Sequence, residues 1–201
     1  MNVYDAIMKR RSIRRFKQKP ISPEVLKKLV NAGRLAPSGA NLQPCEYIIV
    51  QDSKLVNNVF STLKWAGYIV PEGNPKEGEQ PVAYIVVLLN REKRKSGGEH
   101  DAAASIENII LTAIEEGIGS CWLGSIDRVS LRKVLNIPDK CEIDSVLALG
   151  YPNESPKAVH MKDSIKYWKD KKGALNVPKR SLDDVCFFDE YGKRRGQIYE
   201  S

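Results

Sequence analysis

Histidine is almost missing from this 201-residue chain, which has only His100 and His160. Its four cysteines, Cys45, Cys121, Cys141 and Cys186, stand far apart with no C-x-x-C pair. These shortages argue against a zinc site, whose ligands come as closely spaced Cys and His. The cysteines then read as buried or half-exposed free thiols. Long apolar runs are lacking too, and none approaches the ~20 residues of a membrane span. The opening MNVYDAIMKRR has no apolar stretch of the secretory kind, so a cytoplasmic protein is expected. The glycine signatures of nucleotide binding also fail. Gly117-Ile118-Gly119 has Trp122 where a dinucleotide fingerprint needs its third glycine, and it opens a strand after a helix, the reverse of the fingerprint. Gly73 and Gly78 have P-loop spacing, but Glu79-Gln80 stands where Lys-Ser/Thr is required. No G-x-S-x-G elbow offers a serine hydrolase nucleophile.

What is present is an ordinary globular composition, 42% apolar and 28% charged, with a basic excess of 32 Lys and Arg over 25 Asp and Glu, net +7. Position tells more than the total. Counted along the sequence, residues 1–19 hold seven basic residues and one acid, Asp5, while residues 20–160 are slightly acidic and residues 161–201 are basic again. A nucleic-acid groove would interleave aromatics with its cations. Only Tyr4 and Phe16 accompany the N-terminal cluster, so neither nucleic acid nor a membrane is expected as partner. A compact site for a small anion fits better.

Periodicity and capping residues predict strands alternating with helices. Asn2 caps a short first helix with Val3, Ala6 and Ile7 on one face. Ser22 and Pro23 open a second that carries Leu26, Leu29, Val30 and Gly33 and stops at Ala36-Pro37. Glu46 to Val50 is a buried strand, Ser53 caps a third helix, and Val70 to Gln80 is a loop. Val82 to Leu89 is the strongest strand. The helix from Asp101 to Glu116, closed by Gly117, is apolar nearly all round and reads as central or at a subunit interface. Ser120 to Leu123 is a short strand, Asp127 caps a helix ended by Pro138, and Ile143 to Leu149 is a strand stopped by Gly150-Tyr151-Pro152. One domain, 1–201, is expected, with a core over 1–152. Residues 153–201 read as an extended polar tail, with Tyr167 and Trp168 as isolated anchors and Ser181 to Phe188 as its only apolar patch. Such a tail cannot make its own core and must pack on the domain or on a second subunit.

Three segments carry chemistry. Arg10-Arg11-Ser12-Ile13-Arg14-Arg15-Phe16 offers guanidinium groups, which bind phosphate bidentately, beside a hydroxyl; a solvated helix end is the plainer reading. Pro37-Ser38-Gly39-Ala40-Asn41-Leu42-Gln43-Pro44 brackets short polar side chains between prolines, suited to a polar heterocycle, or to an ordinary Asn/Ser turn. In Gly117 to Ser125 (GIGSCWLGS) a strand runs into Gly124, where backbone can approach a ligand, or where a core is tightly packed.

In this order, RRSIRRF, APSGANLQPCEYIIV, GIGSCWLGS, LALGYP and PKRSLDDV together resemble the FMN-dependent nitroreductase family over nearly the whole chain. The resemblance implies an α+β, three-layer α/β/α fold with a central, mostly antiparallel sheet, in an intertwined homodimer with active sites at the interface. It implies FMN as cofactor and NAD(P)H as electron donor, with hydride passing to flavin N5 and on to a small nitroaromatic, quinone or flavin by ping-pong kinetics. Arg10, Arg11, Ser12 and Arg14 match the segment holding the FMN phosphate and ribityl chain, with Lys179 and Arg180 joining from the tail. Pro37, Ser38, Gly39, Asn41 and Gln43 match the loop that the second subunit lays over the flavin. Leu123, Gly124 and Ser125 match the strand end facing the ring. Trp65 and Tyr68 fall where relatives vary their substrate channel, and Cys45 replaces a frequent aromatic. No catalytic side chain and no metal is implied, because the flavin carries the reaction. The alternatives are a flavin-binding protein for sensing or storage, and a dehalogenase-like or flavin-consuming enzyme of the same fold.

Overall fold

A computed structural model describes residues 1–171 and 173–194; Arg195, in the basic C-terminal end, lies outside them. The chain divides into two compact units, Met1–Ser155 and Pro156 onward.

In the first unit, helix α1 (Val3–Lys9) begins where the Asn2 side chain accepts a hydrogen bond from the Asp5 amide at 2.8 Å. Only Ala6 of its apolar residues is buried; Val3 and Ile7 are exposed, as are Tyr4 and Met8. Helix α2 (Pro23–Arg34) starts at the Ser22 cap and buries Leu26, Leu29 and Gly33. Helix α3 (Ser53–Phe60) is capped by Asp52, whose carboxylate accepts from the Leu55 amide at 2.9 Å. Ser53, expected as the cap, is instead the first helical residue: two capping residues stand side by side, and the carboxylate takes the position. Helix α4 (Glu99–Glu115) is the longest, and Gly117 follows it in the left-handed region, φ +69. None of its residues from Asp101 to Ile114 is exposed. Helix α5 (Arg128–Val134) is capped by Asp127.

Five strands form one antiparallel sheet: β1 (Phe16–Lys17), β2 (Cys45–Val50), β3 (Ala83–Asn90), β4 (Gly119–Leu123) and β5 (Cys141–Pro152). Strand β3 is buried at every position and lies between β2 and β5. Strand β5 does not stop at Gly150, as the glycine and proline predict, but runs on to Pro152. Its last residues still have partners, Tyr151 and Pro152 pairing with Lys17 and Phe16. One edge of β5 pairs with β3, while the other carries β4 over Val146–Gly150 and then β1. On one sheet face Ile85, Val87, Leu147 and Leu149 pack with Leu26 and Leu29 of α2 and Ile106 and Ile109 of α4. Each such side chain contributes about 1.5–3 kcal/mol of burial. Val86, Val146 and Ala148 alternate to the opposite face and are buried too. This is the expected α+β architecture.

In the second unit, read as an extended polar tail, the sequence pattern predicts no strand. Strands β6 (Lys157–His160), β7 (Trp168–Lys169) and β8 (Leu175–Lys179) make a three-stranded sheet, with β8 parallel to β6 and antiparallel to β7. Leu175 and Asn176 are buried. The strands escape the sequence pattern because they are short and rich in lysine, and a proline, Pro178, sits inside one of them. Residues Ser181 to Phe188 form turns, with the Ser181 hydroxyl and the Asp184 carboxylate accepting each other's backbone amides at 3.2 Å.

Gly119 and Gly150 are partners across β4 and β5. A Cβ on Gly150 would lie 2.7 Å from the Phe16 ring and 2.9 Å from its Cβ; one on Gly119 would lie 2.8 Å from Ile13. Gly150→Ala is therefore expected to lower stability by about 1–3 kcal/mol through overpacking, read as a shift in the urea midpoint at unchanged slope. A midpoint equal to wild type would mean that Phe16 yields freely.

Candidate functional site

The N-terminal arginine segment is sewn to the end of the sheet. The Ile13 amide donates to the Ser120 carbonyl at 2.8 Å, and Ser12 bridges Ser120 in parallel. The Arg14 and Arg15 amides donate to the Glu154 carboxylate, the Asn153 amide donates to the Arg15 carbonyl at 2.9 Å, and the Phe16 amide donates to the Glu79 carbonyl at 3.0 Å. Two motifs from distant parts of the sequence thereby share one cavity of about 320 Å³, lined by Arg10, Ser12, Glu107, Ile110, Ser120 and Trp122. The donor set is one guanidinium and two hydroxyls, with Glu107 4.0 Å from the Arg10 Nε.

The arginines are not equivalent. Arg11 donates to the Met8 carbonyl at 2.9 Å and to the Arg10 carbonyl, so it caps the end of α1 instead of lining the cavity. Partial burial and the neighbouring Arg10 charge both lower its pKa. The Arg14 side chain is half-buried and does not line the cavity either.

In strand β4 Ser120 and Trp122 line the cavity, and every residue but Trp122 is buried, Ser120 included. Trp122 is 42% exposed; its Nε1 donates to the Ser145 hydroxyl at 2.7 Å, which donates to Asp144 at 2.6 Å. Burial raises the Asp144 pKa. The motifs do not single out Ser120, Trp122 or Glu107 as site residues, although alternation along SCWL could flag the first two. Beyond Leu123, Gly124 and Ser125 are exposed, and a Cβ on Gly124 would meet no atom within 4 Å. The Ser125 carbonyl accepts from the Lys64 amide at 3.1 Å. Trp65, next in sequence, is buried with its ring 5.8 Å from that of Phe60, whereas Tyr68 is exposed.

The Pro37–Pro44 loop lines a different cavity, of about 140 Å³, which shares no residue with the first. Gly39–Asn41 make a single 3-10 turn, and Ala40, Asn41 and Gln43 all have positive φ, 50, 55 and 48°. At its far end the Pro44 carbonyl accepts from the Asn90 amide at 2.8 Å. Its near end hangs on Asp101, in the first turn of α4 and 7% exposed. That carboxylate accepts from the Ser38 hydroxyl at 2.8 Å, the Gly39 amide at 3.2 Å and Arg94 Nη1 at 3.1 Å. Burial works to raise the Asp101 pKa, but these three donors win and it lies below the usual carboxylate value. Asp101 and Arg94 carry no signal in the sequence beyond an acid near a helix start.

Lys179 ends β8, and the Arg180 guanidinium donates to the Asp184 carbonyl, both within the second unit. Among the described residues no group of three or more His, Cys, Asp or Glu is placed to hold a metal, and no helix is long and apolar enough to cross a membrane.

Residues 7–151 match the model of the nitroreductase family. A relative from Archaeoglobus fulgidus, provisionally named an NADH dehydrogenase/NAD(P)H nitroreductase, is 35% identical over 155 residues, covering 74% of this chain and 84% of its own. The crystal structure of a provisionally named nitroreductase in complex with FMN, from Desulfovibrio desulfuricans, is similar with a TM-score of 0.67 and 26% identity, covering 81% of this chain and 93% of its own. An FMN-dependent nitroreductase from Clostridium difficile R20291 has a TM-score of 0.65 and 28% identity, covering 79% and 92%.

Cys45 follows Pro44 and lines the loop cavity as a half-buried free thiol. Burial, then the Asp101 and Asp144 charges, push its pKa up to about 11. Only the thiolate is nucleophilic, so alkylation of Cys45 by iodoacetamide is expected to climb about tenfold per pH unit between pH 8 and 10. Peptide mass spectrometry reads the rate; a plateau by pH 9 would mean an ordinary thiol.

Proposed function

Because the chain belongs to the nitroreductase family, we propose that it is an FMN-dependent oxidoreductase that takes hydride from NAD(P)H and reduces a small electron-poor acceptor, a nitroaromatic, quinone or flavin, by ping-pong kinetics. The observation that carries this reading is the cavity shared by the arginine segment and β4. A guanidinium suits a phosphate, two serine hydroxyls suit a polyol, and the open space at Gly124 suits a planar ring against the backbone.

FMN, when bound, supplies hydride acceptance and donation at N5, so the protein's own tasks are binding, orientation and electrostatics. Arg10 and Ser12 hold the phosphate and the ribityl chain. Arg14 adds positive charge in the same segment, Arg11 fixes the helix end from which Arg10 projects, and Lys179 and Arg180, in the second unit, are further candidates for binding an anion. Leu123, Gly124 and Ser125 offer the ring a backbone edge. The polar loop with Pro37, Ser38, Gly39, Asn41 and Gln43 comes from a second subunit, because within one chain it lines a cavity separate from that of Arg10. An exposed apolar surface is available for that subunit: Val3, Ala6, Leu35 and Leu111 line a groove of about 420 Å³ beside the exposed Tyr4, Ile7 and Met8. Of the two channel candidates, exposed Tyr68 is the one an acceptor can meet, while Trp65 is buried against Phe60.

Anaerobic stopped-flow mixing of the purified yellow protein with NADH and with NADPH is expected to bleach the flavin absorbance with at least one of them. Failure of both would favour a sensing or storage role, and a protein that takes up no FMN would sink the cofactor assignment. Arg10→Ala is expected to lose FMN on dialysis; unchanged retention would place the phosphate elsewhere. Sedimentation is expected to show a dimer, and a monomer that turns over would refute the shared site.

A further inference from the structure

The Pro37–Pro44 loop holds a conformation that costs free energy. Ala40, Asn41 and Gln43 are L-residues held at positive φ, a region that costs about 1–2 kcal/mol for an ordinary residue and less for asparagine. Such a conformation persists only where neighbouring groups over-determine it. Here those groups form a chain of hydrogen bonds. Arg94 donates to Asp101, Asp101 accepts from the Ser38 hydroxyl and the Gly39 amide, and the Ser38 hydroxyl accepts from the Gln43 amide at 2.9 Å.

The geometry points to Asp101, seated by Arg94, as the positioning residue that sets this loop for the flavin. The inference rests on the cofactor reading above and adds a division of labour within the loop. Ser38 and Gly39 are spent on Asp101, so the loop's offer to a ligand is Asn41 and Gln43, both exposed. Arg94 is itself confined. A Cβ on Gly39 would lie 3.0 Å from its Nη1, and one on Gly97 3.3 Å from its Nη2. Its Nε donates to the Ser96 carbonyl at 3.1 Å. Gly97 and Gly98 also sit at φ +73 and +101, so the turn that opens α4 both needs glycine and leaves room for the guanidinium. Asp101 occupies the third position of that helix, where a carboxylate commonly turns back to the cap. This one accepts from Ser38 and Gly39 of the loop instead.

The test compares wild type, Asp101→Asn and Ser38→Ala as full-length proteins, by FMN titration and by hydrogen exchange of the loop. Asp101→Asn is expected to weaken FMN binding about tenfold, the loss of one hydrogen bond to a charged group, and to speed exchange of the Gly39 and Gln43 amides. Ser38→Ala is expected to do the same with the Arg94–Asp101 pair left intact, and the double variant to be no worse than the stronger single one, as for two residues on one bond. Should Asp101→Asn fail to fold, Ser38→Ala alone decides by the same two readouts. FMN affinity and loop exchange equal to wild type would overturn the positioning role, even if the melting temperature fell. A wild type that binds no FMN would overturn the cofactor reading and this proposal with it, and is told apart because it shows in the first titration.

Discussion

Two facing glycines decide where the N-terminal arginine segment can lie. Gly119 and Gly150 are register partners on β4 and β5, and the segment of residues 12–16 pairs alongside them with the Ile13 and Phe16 side chains against the two glycines. Ile13 and Phe16 occupy the space that two Cβ atoms would fill. That close approach lets the Ile13 amide reach the Ser120 carbonyl and lets Phe16 pair with Pro152. Without it the arginine segment would be a basic helix end in solvent. With it, Arg10 and Ser12 stand beside Ser120 and Trp122. The length of β5 completes the arrangement, since a strand ending at Leu149 would have no partner for β1.

What is legible in the sequence is local. Asn2, Ser22 and Asp127 cap the helices they are expected to cap, because a capping bond spans three residues and needs nothing else. The continuous apolar run of β3 shows itself in the same way. What escapes is set by partners distant in sequence. Gly150-Tyr151-Pro152 reads as a stop, but pairing with Phe16 and Lys17, at the other end of the first unit, keeps it a strand. The difference at α3 is of a smaller kind, with Asp52 and Ser53 competing for one position.

The site follows the same rule. The three motifs are visible as motifs, and the two that meet in one chain are the arginine segment and β4. Which arginine faces the cavity is not visible: Arg10 and Arg11 are adjacent and chemically alike, yet helical geometry turns Arg11 back to the carbonyls of Met8 and Arg10. Asp101 stays hidden because its partners, Ser38 and Gly39, lie 63 and 62 residues away and each has an ordinary reading as a turn residue.

The basic excess acquires a meaning from this arrangement. Most of it lies in residues 1–19, and the structure spends that charge unevenly: Arg10 in the cavity, Arg11 on a helix end, Arg15 3.6 Å from Glu79. One buried carboxylate, Asp101, is committed to holding a strained loop, and among the described residues no buried acid or histidine lines the Arg10 cavity to serve as a proton donor. The proposed binding groups are held by the close packing of Ile13 and Phe16 on Gly119 and Gly150 and by the hydrogen bonds gathered on Asp101.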